Sequence, residues 1–243
     1  MPLKVITYNI HRAIGVDRRF RPERVVRILR HYEADVVLLQ EVDEGAPRSR
    51  ELNLAKELAR AAGYPHFALG HNVSLRKGRY GNATLSRFPI LRERNIDLSV
   101  AQSWIRRGCQ HTSVQVGGRT LEVFNLHLGL SAKERLQQIE LLSRSHEFRV
   151  GEAAPMVVGG DFNDWRSLLW PTFTNGFGFL CATDSQTGRR GAIATYPSFS
   201  PQGGLDRLYY RGPLRLLSSR RCRLQISRLA SDHLPVIAEF EMA

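Results

Sequence analysis

Residues 159–164 read GGDFND and follow the apolar run PMVV, so Asp161 and Asn163 stand at the mouth of a buried strand. Carboxylate and carboxamide groups held on a rigid strand end suit a hard cation or a phosphate. On its own the hexamer reads first as a strand-to-turn exit, because Gly, Asp and Asn favour tight turns. The same arrangement recurs, however. Asn9 ends VITYN, Glu41 ends VVLLQE, His127 lies in VFNLHL, Asp206 opens LDRLYY, and Asp232 and His233 precede LPVIAEF. Singly these have ordinary readings: a strand cap for Asn9, surface charges for Glu41 and Asp206, a core histidine for His127, a turn residue for Asp232. Together, beside short strands, they make a hydrolytic set. Glu41 is a hard oxygen ligand suited to Mg²⁺, which takes one or two protein carboxylates and keeps waters for its substrate. Two histidines can serve as acid, base or phosphate donor, and an aspartate can orient one of them.

Elements able to position these groups are visible in the hydropathy pattern. KVITYNI, ADVVLLQEV, GNATLSRF, HTSVQV, TLEVFNLHL, PMVVGGDF, LDRLYY and HLPVIAEF alternate or run apolar over strand lengths. Gly117-Gly118 reads as a hairpin turn between two of them. Helices are expected from Pro22 to about Glu33, with Val25, Val26, Leu29 and Tyr32 on one face, and from Asn53 to Arg60, closed by Gly63. A third begins at Ser131 with Glu134 completing a capping box, and carries Leu136, Ile139 and Leu142 on one stripe. Many strands with few helices, mixed along residues 1–243, imply one domain of two packed sheets with helices outside.

The 243 residues carry a formal net charge of +12, and the 35 basic residues are nearly all arginine. That balance favours a polyanionic partner, nucleic acid or an anionic membrane surface, although arginine usage can also reflect genome composition. The basic residues are dispersed and do not choose between these. Cys109, Cys181 and Cys222 are odd in number and lack zinc spacing, which argues for buried thiols and against disulfides or a zinc site. No apolar run approaches the roughly 20 residues of a membrane span, and MPLKVITYNI has no signal-peptide pattern, so a cytoplasmic protein is expected.

The ordered series TYNIH, LLQEVD, GNATLSRFP, NLHLG, GGDFND, LDRLYY and SDHLPV, from Thr7 to Val236, resembles the endonuclease/exonuclease/phosphatase superfamily, the Mg²⁺-dependent phosphohydrolases that include deoxyribonuclease I. The resemblance implies an α/β fold, a four-layer sandwich of two packed mixed sheets flanked by helices. It makes Glu41 the principal Mg²⁺ ligand, with Mn²⁺ as a substitute, and places Asn9 and Asp232 in the metal shell. Asp161 would hold or deprotonate the attacking water, Asn163 would orient it or the phosphate, and His127 would donate to a phosphate oxygen. Asp206 would fix His233, which acts on the scissile phosphate, and Asn82 would lie on the substrate side. Whether Asp161 or His233 is the base stays open. The implied activity is phosphodiester hydrolysis, with nucleic acid as the leading substrate and a lipid headgroup, inositol phosphate or small metabolite as the alternative. A non-catalytic binding module would have lost expected residues, and none is missing. A monomer without a stable protein partner is expected.

Overall fold

In the computed structural model, which describes residues 1–101, 103, 105–150, 154–184 and 192–243, two six-stranded mixed sheets pack face to face. The first has the order β11-β12-β1-β2-β4-β3, where β1 is Pro2–Asn9, β2 Val36–Glu44, β3 His66–Ser74, β4 Arg79–Ser86, β11 Leu214–Arg221 and β12 Val236–Met242. The second has the order β5-β6-β7-β8-β10-β9, with β5 Ile90–Asp97, β6 Gly108–Val116, β7 Arg119–His127, β8 Met156–Asp161, β9 Leu180–Cys181 and β10 Asp206–Arg211. Pairs β1–β2 and β7–β8 are parallel and the others antiparallel. Strand β1 lies between β2 and β12, so opposite ends of the chain are neighbours; the Met1 amino group donates to the Met242 carbonyl.

Strand side chains alternate between faces, and that alternation builds three apolar layers. Val5, Val36, Leu38, Val123, Val157, Leu208 and Val236 fill the space between the sheets. Ile6, Tyr8, Val37 and Leu39 face outward on the first sheet, against helices α1 (Pro22–Tyr32) and α2 (Leu54–Ala62). Phe124, Leu126, Met156 and Val158 face outward on the second, with Ile139 and Leu142 of α3 (Ala132–Arg144) and Phe148 of α4 (His146–Val150). A short α5 (Ser227–Ala230) adds Ala230 to the outer layer of the first sheet. Helix, sheet, sheet and helix are thus the four layers that the motif series implied.

Local signals explain the ends of these elements. Asn53 caps α2 by accepting from the Lys56 amide at 2.9 Å, and Gly63 closes it in the left-handed region at φ +80°. Gly117 and Gly118, at φ +55° and +81°, make the two-residue turn joining β6 to β7. Ser131 accepts from the Glu134 amide, but the Glu134 carboxylate bonds Ser103 and Gln138, so the capping box is half formed. Leu136 of the expected apolar stripe is 51% exposed; Arg135 and Gln138 take the buried positions beside Ile139 and Leu142. Among the described residues no helix is long and apolar enough to cross a membrane.

Candidate active site

At one end of the sandwich the space between the sheets turns from apolar to polar. Gln40 Nε2 donates to Asn125 Oδ1 of the opposite sheet at 2.7 Å and to Thr7 Oγ1 at 3.2 Å. Asn125 Nδ2 returns across the gap to the Leu39 and Ala83 carbonyls, and Thr84 donates to Gln110. Asn82 belongs to this layer: it is buried, and its amide donates to the Gly108 and Asn125 carbonyls at 3.1 and 3.0 Å. Its Nδ2 therefore ties the sheets together. Buried amides are costly unless paired, so such a layer permits only one register between the sheets.

One residue pair beyond this layer stand the groups singled out by type and spacing. Register places His127, Asp161 and Asp206 side by side on the ends of β7, β8 and β10. Asn9 reaches Asp161 from the opposite sheet, Nδ2 to Oδ2, at 3.0 Å. His233, from the turn before β12, places Nδ1 2.9 Å from Asp206 Oδ2 and Nε2 3.6 Å from Asp161 Oδ2; His127 Nε2 also lies 3.6 Å from that oxygen. The Asn163 amide N–H donates to Asp161 Oδ1 at 3.0 Å, while its side chain donates to the Leu128 carbonyl. Asp164, the second aspartate of the hexamer, turns away: it accepts from the Leu169 amide at 2.8 Å and pairs with buried Arg135 at 3.5 Å.

The glycines of the hexamer serve packing. A Cβ on Gly159 would meet Leu208 and Leu38 at 2.6 and 2.7 Å, so its absence lets the sheets close. Gly160, at φ +144°, would drive a Cβ into the Leu126 carbonyl oxygen. Packing accounts for both glycines.

Burial draws Asp161 up to about 6, helped by Asp206 and opposed by His233 and the Asn9 and Asn163 donors. For His233 burial works toward the neutral form, but Asp206, Asp161 and Asp232 outweigh it and raise the imidazole to about 10. Burial, followed by the charges of Arg107, His233 and Arg12, holds His127 well below the ordinary histidine range. Near neutral pH the centre therefore holds a carboxylate beside an imidazolium, with a neutral imidazole on the other side.

Glu41 sits on a bulge in β2, where pairing with β4 shifts between Leu39 and Val42, and its φ is +56°. Such a backbone is strained for a residue with a side chain and marks functional positions. Gln40 pairs with Asn9, so Glu41 lies next to the centre. Its Oε2 is buried without a hydrogen bond, and its ionic neighbour is Arg12 Nε at 3.4 Å. Arg12 is swung back by a left-handed turn through His11, Arg12 and Ala13. Asp206 Oδ1 is likewise buried without a partner. Oxygens left unpaired in this way fit a hard divalent cation. Among the described residues, the group of acidic and histidine donors close enough to share an ion is Asp161, Asp206 and His233, with ligand atoms within 4.8 Å of one another. Glu41 lies outside that group. Asp232 is at the margin, its Oδ1 accepting from Ser231 and 4.0 Å from His11 Nδ1.

Several contributors were not anticipated. The Thr195 hydroxyl donates to Asp206 Oδ2, and the Tyr196 ring lies 4.9 Å from that of His233. Both come from the irregular segment after residue 191, which has no periodicity to read. Arg12, three residues after Asn9, had only that nearness as a signal.

The arrangement can handle a proton and hold an anion, and comparison with known proteins agrees. The family model described as "Endonuclease/Exonuclease/phosphatase family" matches residues 6–233. The protein YbhP of Escherichia coli (strain K12) is 32% identical over 250 residues, covering 98% of this chain and 96% of YbhP. Among solved structures, D. rerio TDP2 complexed with single strand DNA product is similar with a TM-score of 0.78 at 18% identity, over 99% of both chains. The mannosyl-6-phosphatase Bt3783 of Bacteroides thetaiotaomicron is similar with a TM-score of 0.76 at 17% identity, over 98% of this chain and 99% of that one. With the fold shared along both chains and the family pattern running almost end to end, this chain belongs to the endonuclease/exonuclease/phosphatase family of phosphoester hydrolases.

Proposed function

We propose that the protein is a divalent-metal-dependent phosphodiesterase that cleaves nucleic acid by in-line attack of water. The observation that carries the chemistry is the buried chain Asp206–His233–Asp161, with His127 and Asn9 on Asp161. Asp161, ionised above about pH 6, takes the proton of the attacking water. His233, kept protonated and oriented by Asp206, donates to a phosphoryl oxygen, and neutral His127 donates a second hydrogen bond. Asn163 holds Asp161 through its backbone amide. Glu41, with Asn9 and Asp232, would hold Mg²⁺, or Mn²⁺ in its place. The ion supplies electrostatic stabilisation of the charge that develops on the phosphoryl oxygens.

The two named structural relatives, one bound to DNA product and one a sugar-phosphate phosphatase, are too distant to choose a substrate; the net charge of +12 favours the polyanion. Three free thiols suit a reducing compartment, which supports the cytoplasm. The test compares plasmid, single-stranded oligonucleotide, inositol phosphate and phospholipid vesicles on one preparation, with Glu41→Gln as the control for contaminating nuclease. Nucleic acid should be cleaved, with binding that weakens by roughly 0.7 to 0.9 log units per tenfold salt for each phosphate contacted. Cleavage of lipid or inositol phosphate alone would remove the nuclease reading and keep the phosphoesterase. Full turnover in excess chelator would remove the metal.

A further inference from the structure

Three arginines are buried among the described residues: Arg107, Arg135 and Arg207. Two are answered. Arg135 donates to the Leu130 carbonyl at 2.7 Å and pairs with Asp164, and Arg207 donates to Ser167 Oγ at 2.6 Å with Asp184 at 3.9 Å. Arg107 is 8% exposed, its Nε is buried with no hydrogen-bond partner, and no carboxylate among the described residues pairs with it. A guanidinium cannot shed its charge to ease burial, and an unpaired buried cation is among the most destabilising features a fold can carry. Such a group persists where an anion from outside completes it.

Its place tells which anion. Arg107 directly precedes Gly108, the first residue of β6, next to β7, whose last residue is His127. After burial, its charge is the largest influence holding His127 and Tyr80 where they titrate, and Arg12 acts on both as well. The nearby guanidinia are already engaged: Arg48 is bidentate on Asp43 at 2.9 and 2.8 Å, and Arg12 faces Glu41. Asp206 and His233 lie on the far side of Asp161, on β10 and before β12. Strands β6 and β8 are two spacings apart, roughly 10 Å, so Arg107 would stand beside a phosphorus held at Asp161 and not beneath it.

We propose that Arg107 is the floor of a second anion subsite, which takes a phosphate of the substrate one position removed from the scissile ester. Two sources share that chemistry: the next phosphate of a nucleic-acid strand, and the second phosphate of a bisphosphorylated small ester. The substrate part of this inference rests on the phosphoesterase reading above; the anion site itself does not.

Two measurements test it. The first is thermal unfolding of metal-free protein with and without pyrophosphate. Pyrophosphate should raise the Tm of the wild type and of Arg107→Lys but leave Arg107→Met unmoved, and Arg107→Met without ligand should be at least as stable as the wild type. The second compares kcat/KM for the dinucleotides pTpT and TpT, and for inositol 1,4-bisphosphate and inositol 1-phosphate. The source with the extra phosphate should gain about ten- to a hundredfold in the wild type, mainly through KM, and lose that gain in Arg107→Met. Whichever pair shows the gain identifies the source. A pyrophosphate shift that survives in Arg107→Met, a ratio unchanged by that substitution, or an Arg107→Met protein several degrees less stable than the wild type overturns the proposal. If no phosphoester is turned over by the wild type, the phosphoesterase reading falls while the pyrophosphate comparison still decides the subsite.

Discussion

In the free protein Asp161 and His233 are pulled in the same direction by different causes, burial for the carboxylate and surrounding carboxylates for the imidazole. A base must be ionised, so kcat/KM should fall tenfold per pH unit below about 6. It should fall again as the His233 imidazolium deprotonates toward about 10, giving a bell whose limbs a pH–rate profile locates. An acid limb near the ordinary aspartate range would take the base role from Asp161. In the proposed mechanism Asp206 acts through His233, to which it is hydrogen-bonded, so Asp206→Asn and His233→Ala should be strongly non-additive; a double-mutant loss equal to the product of the single losses would show independent action. At this scale Asn9, Asp161, Asp206 and His233 could be listed from the sequence because each is a polar residue closing or opening an apolar strand. What could not be read is which of two similar aspartates does what: Asp161 and Asp164 share one hexamer, and only the turn at Asn163, at φ +50°, sends one to the gap between sheets and the other to Arg135. Thr195, Tyr196 and Arg107 come from irregular segments, where no period announces a side chain's direction.

Eight strands were legible as apolar runs, and the four that were not, β3, β5, β9 and β11, are the four sheet edges. An edge strand has one neighbour and a solvated flank, so its residues need not be apolar; β5 is exposed along most of its length. Central strands carry the core on both faces and therefore show it in composition. The glycines of β8 make the sharpest prediction here. Gly160→Ala would place a methyl against the Leu126 carbonyl in a backbone conformation that L-residues avoid, and should cost about 3 kcal/mol or more by chemical denaturation. Gly159→Ala should cost less, since Leu38 and Leu208 can shift, but should slow turnover by moving Asp161 relative to Asn9. Asn53→Ala, far from the centre, should cost about 1 kcal/mol through its helix cap and leave turnover unchanged.

The two sheets meet through a core that any pair of Val- and Leu-rich surfaces could form, and it is the polar layer above it that makes their meeting specific. Asn125→Leu would remove the cross-sheet partner of the Gln40 amide and the side-chain donor to the Leu39 and Ala83 carbonyls together, a loss of about 3 kcal/mol or more in denaturant unfolding. Activity should fall further than stability predicts, because the same contacts set the distance between Asn9 and Asp161. The adjacency of β1 and β12 has a consequence in time. Asn9 is made long before His233, yet the two lie on either side of Asp161 in one centre. A growing chain can therefore assemble much of the second sheet and still have no imidazole on Asp206. The centre therefore stays incomplete until the segment that carries His233 and β12 has been made and has added itself to β1.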